Sequence, residues 1–217
     1  MSKAGNLHEF AYGLFASAAS EHLPLVDAVA KASFPELKVF AHSLFMCGLF
    51  YNNGKYRYSF WMGLMMTFVG GFFGGFTSNL LMNETPGIFK LNWIILGHFL
   101  AHWIICCAPY GLGIKAYNKI KPINMFCKMC SNVMRVHCII DRLELAVMHF
   151  PGVFVSPILL GFIGGSGGGI TCDTIDVFTG AKTIITHELA SPTFATRSGL
   201  AVAVVYYLAY VRDSRCA

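Results

Sequence analysis

Two stretches of this chain share one pattern inside apolar surroundings. Residues 70–77 read Gly-Gly-Phe-Phe-Gly-Gly-Phe-Thr and residues 164–171 read Gly-Gly-Ser-Gly-Gly-Gly-Ile-Thr, both fitting Gly-Gly-x-x-Gly-Gly-x-Thr. Each lies within a segment long enough to cross a bilayer, which takes about 20 residues as a helix. Glycine runs loosen the backbone ladder, and unpaired carbonyls at membrane depth are tolerated only where they line water or meet protein. The matched pair therefore predicts either a polar pathway near the interface of two repeats or close helix packing through small residues; both readings can hold together.

Composition selects the membrane. Of 217 residues, 55% are hydrophobic and 12% charged, against about 25% charged in soluble domains. Disorder needs low hydrophobicity and high net charge, and the 22 glycines cluster instead of recurring every third residue as in collagen. The net charge of +5 is scattered in ones and twos between apolar segments, so no basic face for nucleic acid is expected and an anionic membrane surface is the partner. Cys47, Cys106, Cys107, Cys127, Cys130, Cys138 and Cys172 lie in or beside apolar stretches, where reduced cysteine behaves as a small hydrophobe. Cys127 and Cys130 have the spacing of half a zinc site, with no second pair to complete it.

Residues 1–33 are an amphipathic lead-in, and Glu9, Glu21 and Asp27 argue against a signal peptide. Six spans are predicted, at about 34–51, 58–82, 91–113, 122–140, 145–177 and 194–211, followed by a tail at 212–217. The fifth, with Pro151, Pro157 and the second glycine run, is expected to be broken. The glycine motifs fall in spans two and five, 94 residues apart from 70 to 164. Three spans per repeat is an odd number, so the halves 34–113 and 114–211 cross in opposite directions. The expected fold is therefore an all-α polytopic membrane protein of two inverted three-helix repeats, with glycine-broken helices two and five. Lys55, Arg57, Lys115, Lys119 and Lys121 lie on one side, against Lys90 in the short loop opposite, which orients that first side to the cytoplasm.

The candidate pathway residues are Gly70, Gly75, Thr77, Ser78, Gly165, Gly168, Thr171 and Asp173, the last alternatively a helix cap beside Asp176. On the fourth span Arg135 sits mid-helix, where a charge costs about 2.5–3.5 kcal/mol and marks a functional site by default. Lys128 lies about 10 Å earlier on nearly the same face, with Ser131 and Asn132 between. This stripe reads as a pore wall, as a socket for an anionic headgroup, or as structural glue in which Arg135 pairs with Asp173 or a carbonyl. His42 also falls in a span, and His98 and His102, at i and i+4, read as packed or hydrogen-bonded histidines or as a metal pair lacking a third ligand.

Phe34-Pro35 opening the first span, the paired glycine-rich helices, Pro109 closing the third span and the charged fourth helix together resemble the trimeric intracellular cation channels of endoplasmic and sarcoplasmic reticulum. Where that family has Lys-Glu-Val-x-Arg, this chain reads Ser131-Asn132-Val133-Met134-Arg135, so Val133 and Arg135 match and the lysine and glutamate do not. The resemblance implies a multi-pass homotrimer of those membranes, one pore per subunit, conducting potassium ions as counter-current to calcium release. It implies no enzyme activity and no cofactor beyond a phosphoinositide lipid, held near Arg135 and beside Gly71 and Gly74. Ser131 occupies the lysine position, and Lys128, from one turn earlier, is expected to make the second phosphate contact. The family also has a seventh helix after the second repeat; these residues end at Ala217, so either the chain continues or this member lacks it. An inverted-repeat carrier for a small solute is the alternative function, and a metalloenzyme built on His98 and His102 a third.

Overall fold

The computed structural model describes residues 35–53, 59–180 and 182–211, and every regular element among them is helical. The expected lead-in, the Lys55/Arg57 turn and the tail at 212–217 lie outside the described residues. Helices α1 (Pro35–Asn52) and α2 (Phe60–Leu81) coincide with the first two apolar segments. Ser59 starts α2 by accepting the Met62 N–H at 3.4 Å. Asn83 ends the following turn at φ 56°, a left-handed conformation that asparagine tolerates.

The third segment is not one straight span. Helix α3 (Asn92–His102) runs into a π-helical turn, Trp103–Cys107, and leaves helical geometry at Ala108. A residue before proline is driven to extended backbone, and Pro109 follows. Tyr110 and Gly111 then take φ of 57° and 66°, and the chain returns as α4 (Leu112–Lys119) after an 83° bend. The return is tight: a Cβ on Gly113 would lie 1.7 Å from the Ile104 carbonyl oxygen, so only glycine fits. Lys115 and Lys119, which fall between the predicted third and fourth spans, are thus helical residues.

Helix α5 (Lys121–His149) accommodates Pro122 in its first turn, where no backbone donor is needed, and continues well past Ile140. It takes up Leu145–His149, which the hydropathy assigns to the next span. The break falls at Pro151-Gly152, with Gly152 at φ 85°. Helix α6 (Val155–Phe178) then runs uninterrupted through Pro157, in its first turn, and through the second glycine run. The first run is equally unbroken inside α2. The expectation of glycine-broken helices is therefore corrected: neighbouring helices pack against all of these glycines but Gly169, and the ladder stays whole. Helix α7 (Phe194–Tyr206), capped by the Thr193 side chain, extends through a π-helical turn to Val211.

Helices α2 and α6 are each long and apolar enough to cross a membrane, and the bent α3–α4 pair makes a third if counted as one span. Helix α6 lies centrally, packed against α2, α5 and α7. Ile139 and Leu143 of α5 are fully buried with Ala203 and Tyr207. A second core joins Ala41 and Cys47 of α1 to Ala101, Ile105, Tyr117 and Cys127. All seven described cysteines are free thiols.

Candidate functional site

The two glycine runs meet each other. A Cβ on Gly168 would lie 2.3 Å from the Gly70 oxygen and 2.9 Å from the Val69 oxygen; one on Gly74 would lie 2.7 Å from the Gly164 oxygen and 2.6 Å from the Ile163 oxygen. The 94-residue offset turns one contact into the other, since Val69 and Gly70 map onto Ile163 and Gly164 while Gly168 maps onto Gly74. Gly70 pairs with Gly168 and Gly74 with Gly164, so numbers rise on one helix as they fall on the other and the two cross antiparallel. Cys172 extends the same register by donating to the Met66 carbonyl at 3.6 Å.

Other helices enclose the rest of the first run. Gly70 abuts Phe50 and Met46 of α1, Gly71 abuts His42, and Gly75 abuts Cys138 of α5. On α6, Gly165 abuts Ile139 and the Arg135 side chain. Helices α1, α5 and α6 thus each contact part of the first run, within which Gly74 is buried and its neighbours are half-buried. The packing reading of the glycines is realised here.

Ser131, at the position of the family lysine, is buried, with its Oγ 2.9 Å from His42 Nδ1. The other ring nitrogen of His42, Nε2, lies 3.1 Å from the Gly71 carbonyl oxygen. A carbonyl only accepts, so Nε2 carries the proton, and in the neutral ring Nδ1 accepts from the Ser131 hydroxyl. One imidazole thereby ties α1, α2 and α5 together. Arg135, one turn beyond Ser131, is half-buried, its Cγ 3.3 Å from a Cβ on Gly165. Among the described residues its guanidinium has no hydrogen-bond or ion-pair partner; the acid whose charge reaches it is Glu188. Lys128 is exposed. The structure thus gathers Ser131 and Arg135 with Gly71 and Gly165 and leaves Lys128 outside that cluster. His42 is the site residue that spacing does not find, standing 89 residues from Ser131 and 29 from Gly71; its one sequence signal is a polar side chain in an apolar span.

Asp173 is buried and pairs with Lys182 at 2.6 Å. That corrects the reading in which Arg135 takes Asp173 as its partner. Thr77 and Thr171 are half-buried, whereas Ser78 is buried and donates to the Gly75 carbonyl at 3.2 Å. In the α6–α7 connection, Glu188 Oε2 accepts from Thr193 N at 3.1 Å, Thr193 Oγ1 at 3.2 Å and Thr196 Oγ1 at 2.5 Å. Burial pushes the Glu188 carboxyl up, but the Thr196 and Thr193 hydrogen bonds and the Lys182 charge outweigh it and hold the group below its ordinary 4.5. His98 and His102 have separate partners: His98 Nε2 meets Thr67 Oγ1 at 3.0 Å, and His102 Nδ1 faces the Cys106 and Cys47 thiols at 3.7 and 4.0 Å. Among the described residues no three His, Cys, Asp or Glu side chains are grouped to hold a metal.

The profile of a family described as TRIC channel matches residues 54–215. Trimeric intracellular cation channels type 1B.2 and type 1B.1 of Caenorhabditis elegans are 25% and 26% identical over 157 and 156 residues, 71% of this chain in each case. The chain spans about half the length of these relatives, 48% and 51%. A solved C. elegans trimeric intracellular cation channel without Ca2+ shares the fold with a TM-score of 0.72 at 22% identity, over 89% of this chain and 86% of that one. A structure described as a basis for the activity of TRIC counter-ion channels in calcium release gives 0.67 at 20% identity, over 85% and 84%. With the family profile covering most of its length and the all-helical fold in agreement, this chain belongs to the TRIC channel family.

Proposed function

We propose that the chain is a potassium-conducting cation channel of an intracellular membrane, assembled as a homotrimer and carrying counter-current to calcium release. The observation that carries this reading is the contact between the glycine runs of α2 and α6. An interface without side chains opens by a small displacement of one helix, and opening presents rows of carbonyl oxygens, a lining that favours cations. The symmetry of the contact under the 94-residue offset, with antiparallel helices, supports the two halves being an inverted repeat. The names of the relatives, trimeric intracellular cation channels, support the oligomer and the membrane.

Arg135 is awkward in a cation path, because basic groups favour anions. An anionic headgroup of the phosphoinositide class bound to its partner-poor guanidinium neutralises it, with Lys128 offering a second contact from the exposed side. Unitary currents in planar bilayers under a potassium chloride gradient test the function. A reversal potential near that of potassium is expected. Anion selectivity, or solute flux without unitary openings, overturns the proposal, the latter in favour of a carrier. For the lipid, flotation with vesicles of phosphatidylcholine with and without phosphatidylinositol phosphate is expected to show binding that Arg135→Gln abolishes and Lys128→Ala weakens. Unchanged binding by both variants refutes the lipid assignment.

A further inference from the structure

We infer that His42 is a positioning residue for conduction: it latches the first glycine run in its closed packing by bridging α2 to α5. The inference rests on the channel reading above. Three observations converge on it. First, the ring is buried and both of its nitrogens are engaged, Nε2 on the Gly71 carbonyl at 3.1 Å and Nδ1 on Ser131 Oγ at 2.9 Å. The Gly71 carbonyl belongs to a helix, yet it accepts this additional side-chain bond, so displacing α2 at this level breaks a bridge to both α1 and α5.

Second, the bridge sits where the packing is least forgiving. A Cβ on Gly71 would lie 3.2 Å from His42 Nε2, and three residues on, Gly74 touches α6 backbone to backbone. The His42 bond and the α2–α6 contact therefore lie less than one helical turn apart and hold the same segment from two sides. Third, the partner on α5 is Ser131, the position at which this chain departs from the family motif. A lysine there brings a charged donor, whereas the serine hydroxyl brings a neutral one that suits a buried, uncharged imidazole. The departure and the histidine fit each other: Ser131 donates to a neutral imidazole whose remaining N–H is directed to Gly71.

Because the bridge holds α2 to α1 and α5 beside the α2–α6 glycine contact, it stabilises this packed arrangement, and breaking it favours displacement of α2, the opening motion of the channel reading. A net contribution of about 1 kcal/mol for one buried neutral hydrogen bond corresponds to a roughly fivefold change in the open-to-closed ratio. Ser131→Ala is expected to raise that ratio about fivefold and His42→Ala by more, with unitary conductance unchanged, since neither side chain is asked to contact the ion. His42→Gln, whose amide nitrogen falls near the Nε2 position and retains the Gly71 half of the bridge, is expected to lie between wild type and His42→Ala. The double variant is expected to equal His42→Ala alone, because the serine acts through the histidine. A variant that merely loosens the fold would lower active-channel yield without this ordering.

The test is single-channel recording of the full chain in planar bilayers under symmetrical potassium chloride, on wild type and these four variants. Absence of unitary potassium currents from wild type removes the channel reading itself. Wild-type currents together with unchanged or lowered open probability in both single alanine variants, or additive effects in the double variant, overturn the latch and leave the channel reading standing.

Discussion

Replacing Gly168 with alanine tests the glycine contact most directly, because the added methyl meets backbone. Its Cβ would lie 2.3 Å from the Gly70 oxygen, where ordinary contact begins at 3.4 Å, so α2 and α6 must separate by about 1 Å. Neither side of the contact has a side chain that can rotate away. Overpacking of this kind costs about 1–3 kcal/mol, and a backbone-to-backbone clash belongs at the upper end. Alanine recovers about 0.8–1.0 kcal/mol of helix propensity over glycine, which leaves a net loss near 2 kcal/mol. Gly169→Ala is the internal control: nothing lies within 4 Å of a Cβ there, so the same propensity gain is expected without the clash. The two variants therefore differ by about 3 kcal/mol. At roughly 2–4 °C per kcal/mol for a domain of this size, their thermal midpoints in detergent micelles should differ by about 6–12 °C, with Gly169→Ala above wild type. Gly74→Ala, the counterpart of Gly168 under the repeat offset, is expected to behave like Gly168→Ala. The double variant should lose less than the sum, since separating the helices once relieves both clashes. Equal midpoints for the Gly168 and Gly169 variants would falsify the contact.

Other consequences concern the charged and polar groups. Asp173→Asn removes the negative charge from the acceptor of the Lys182 bond and is expected to cost about 1.5–3 kcal/mol. A Lys182→Met variant should show strong non-additivity with it in thermal unfolding, and simple additivity would refute the pairing. Arg135→Gln, in contrast, should shift the midpoint of lipid-free protein by less than about 0.5 kcal/mol in equivalent stability, because no described residue pairs with it. A large loss would reveal a structural partner. The Glu188 carboxyl is held below 4.5 in the fold, so its contribution is complete above that pH and declines as pH falls through the lowered folded value. Hydrogen-exchange protection at the start of α7, measured relative to the intrinsic rate at each pH, should fall on acidification below about pH 4.5 in wild type. In Glu188→Gln that protection should be low and flat across the window, and a flat wild-type protection profile would contradict the assignment.

Much of the helical scaffold was legible before any contact was known. The apolar segments at about 34–51 and 58–82 announce α1 and α2, Pro109 marks the end of the third segment, and the apolar run from Phe194 announces α7, because prolines and hydropathy act over a few residues. The glycine motifs announced a special relation between two helices, but not its kind. Whether a glycine run breaks a helix depends on what surrounds it, and three neighbouring helices keep both runs intact.

The arrangement of the site came from further away. The 83° bend after α3 depends on two consecutive left-handed residues and a close approach of Gly113 to Ile104, which hydropathy does not register. Asp173 takes Lys182 because the connection after α6 folds back over it, displacing Arg135 from a role that charge alone allowed. His42 joins Ser131 across 89 residues, beyond the reach of any spacing rule. The amino-acid sequence by itself therefore determined the solvent this protein folds in, where most of its helices lie and which small residues permit close approach, since each follows from local chemistry. Only the tertiary structure decided which backbone those glycines touch, which acid each cation finds and which histidine holds the first glycine run, because such choices are made by side chains brought together from distant parts of the chain.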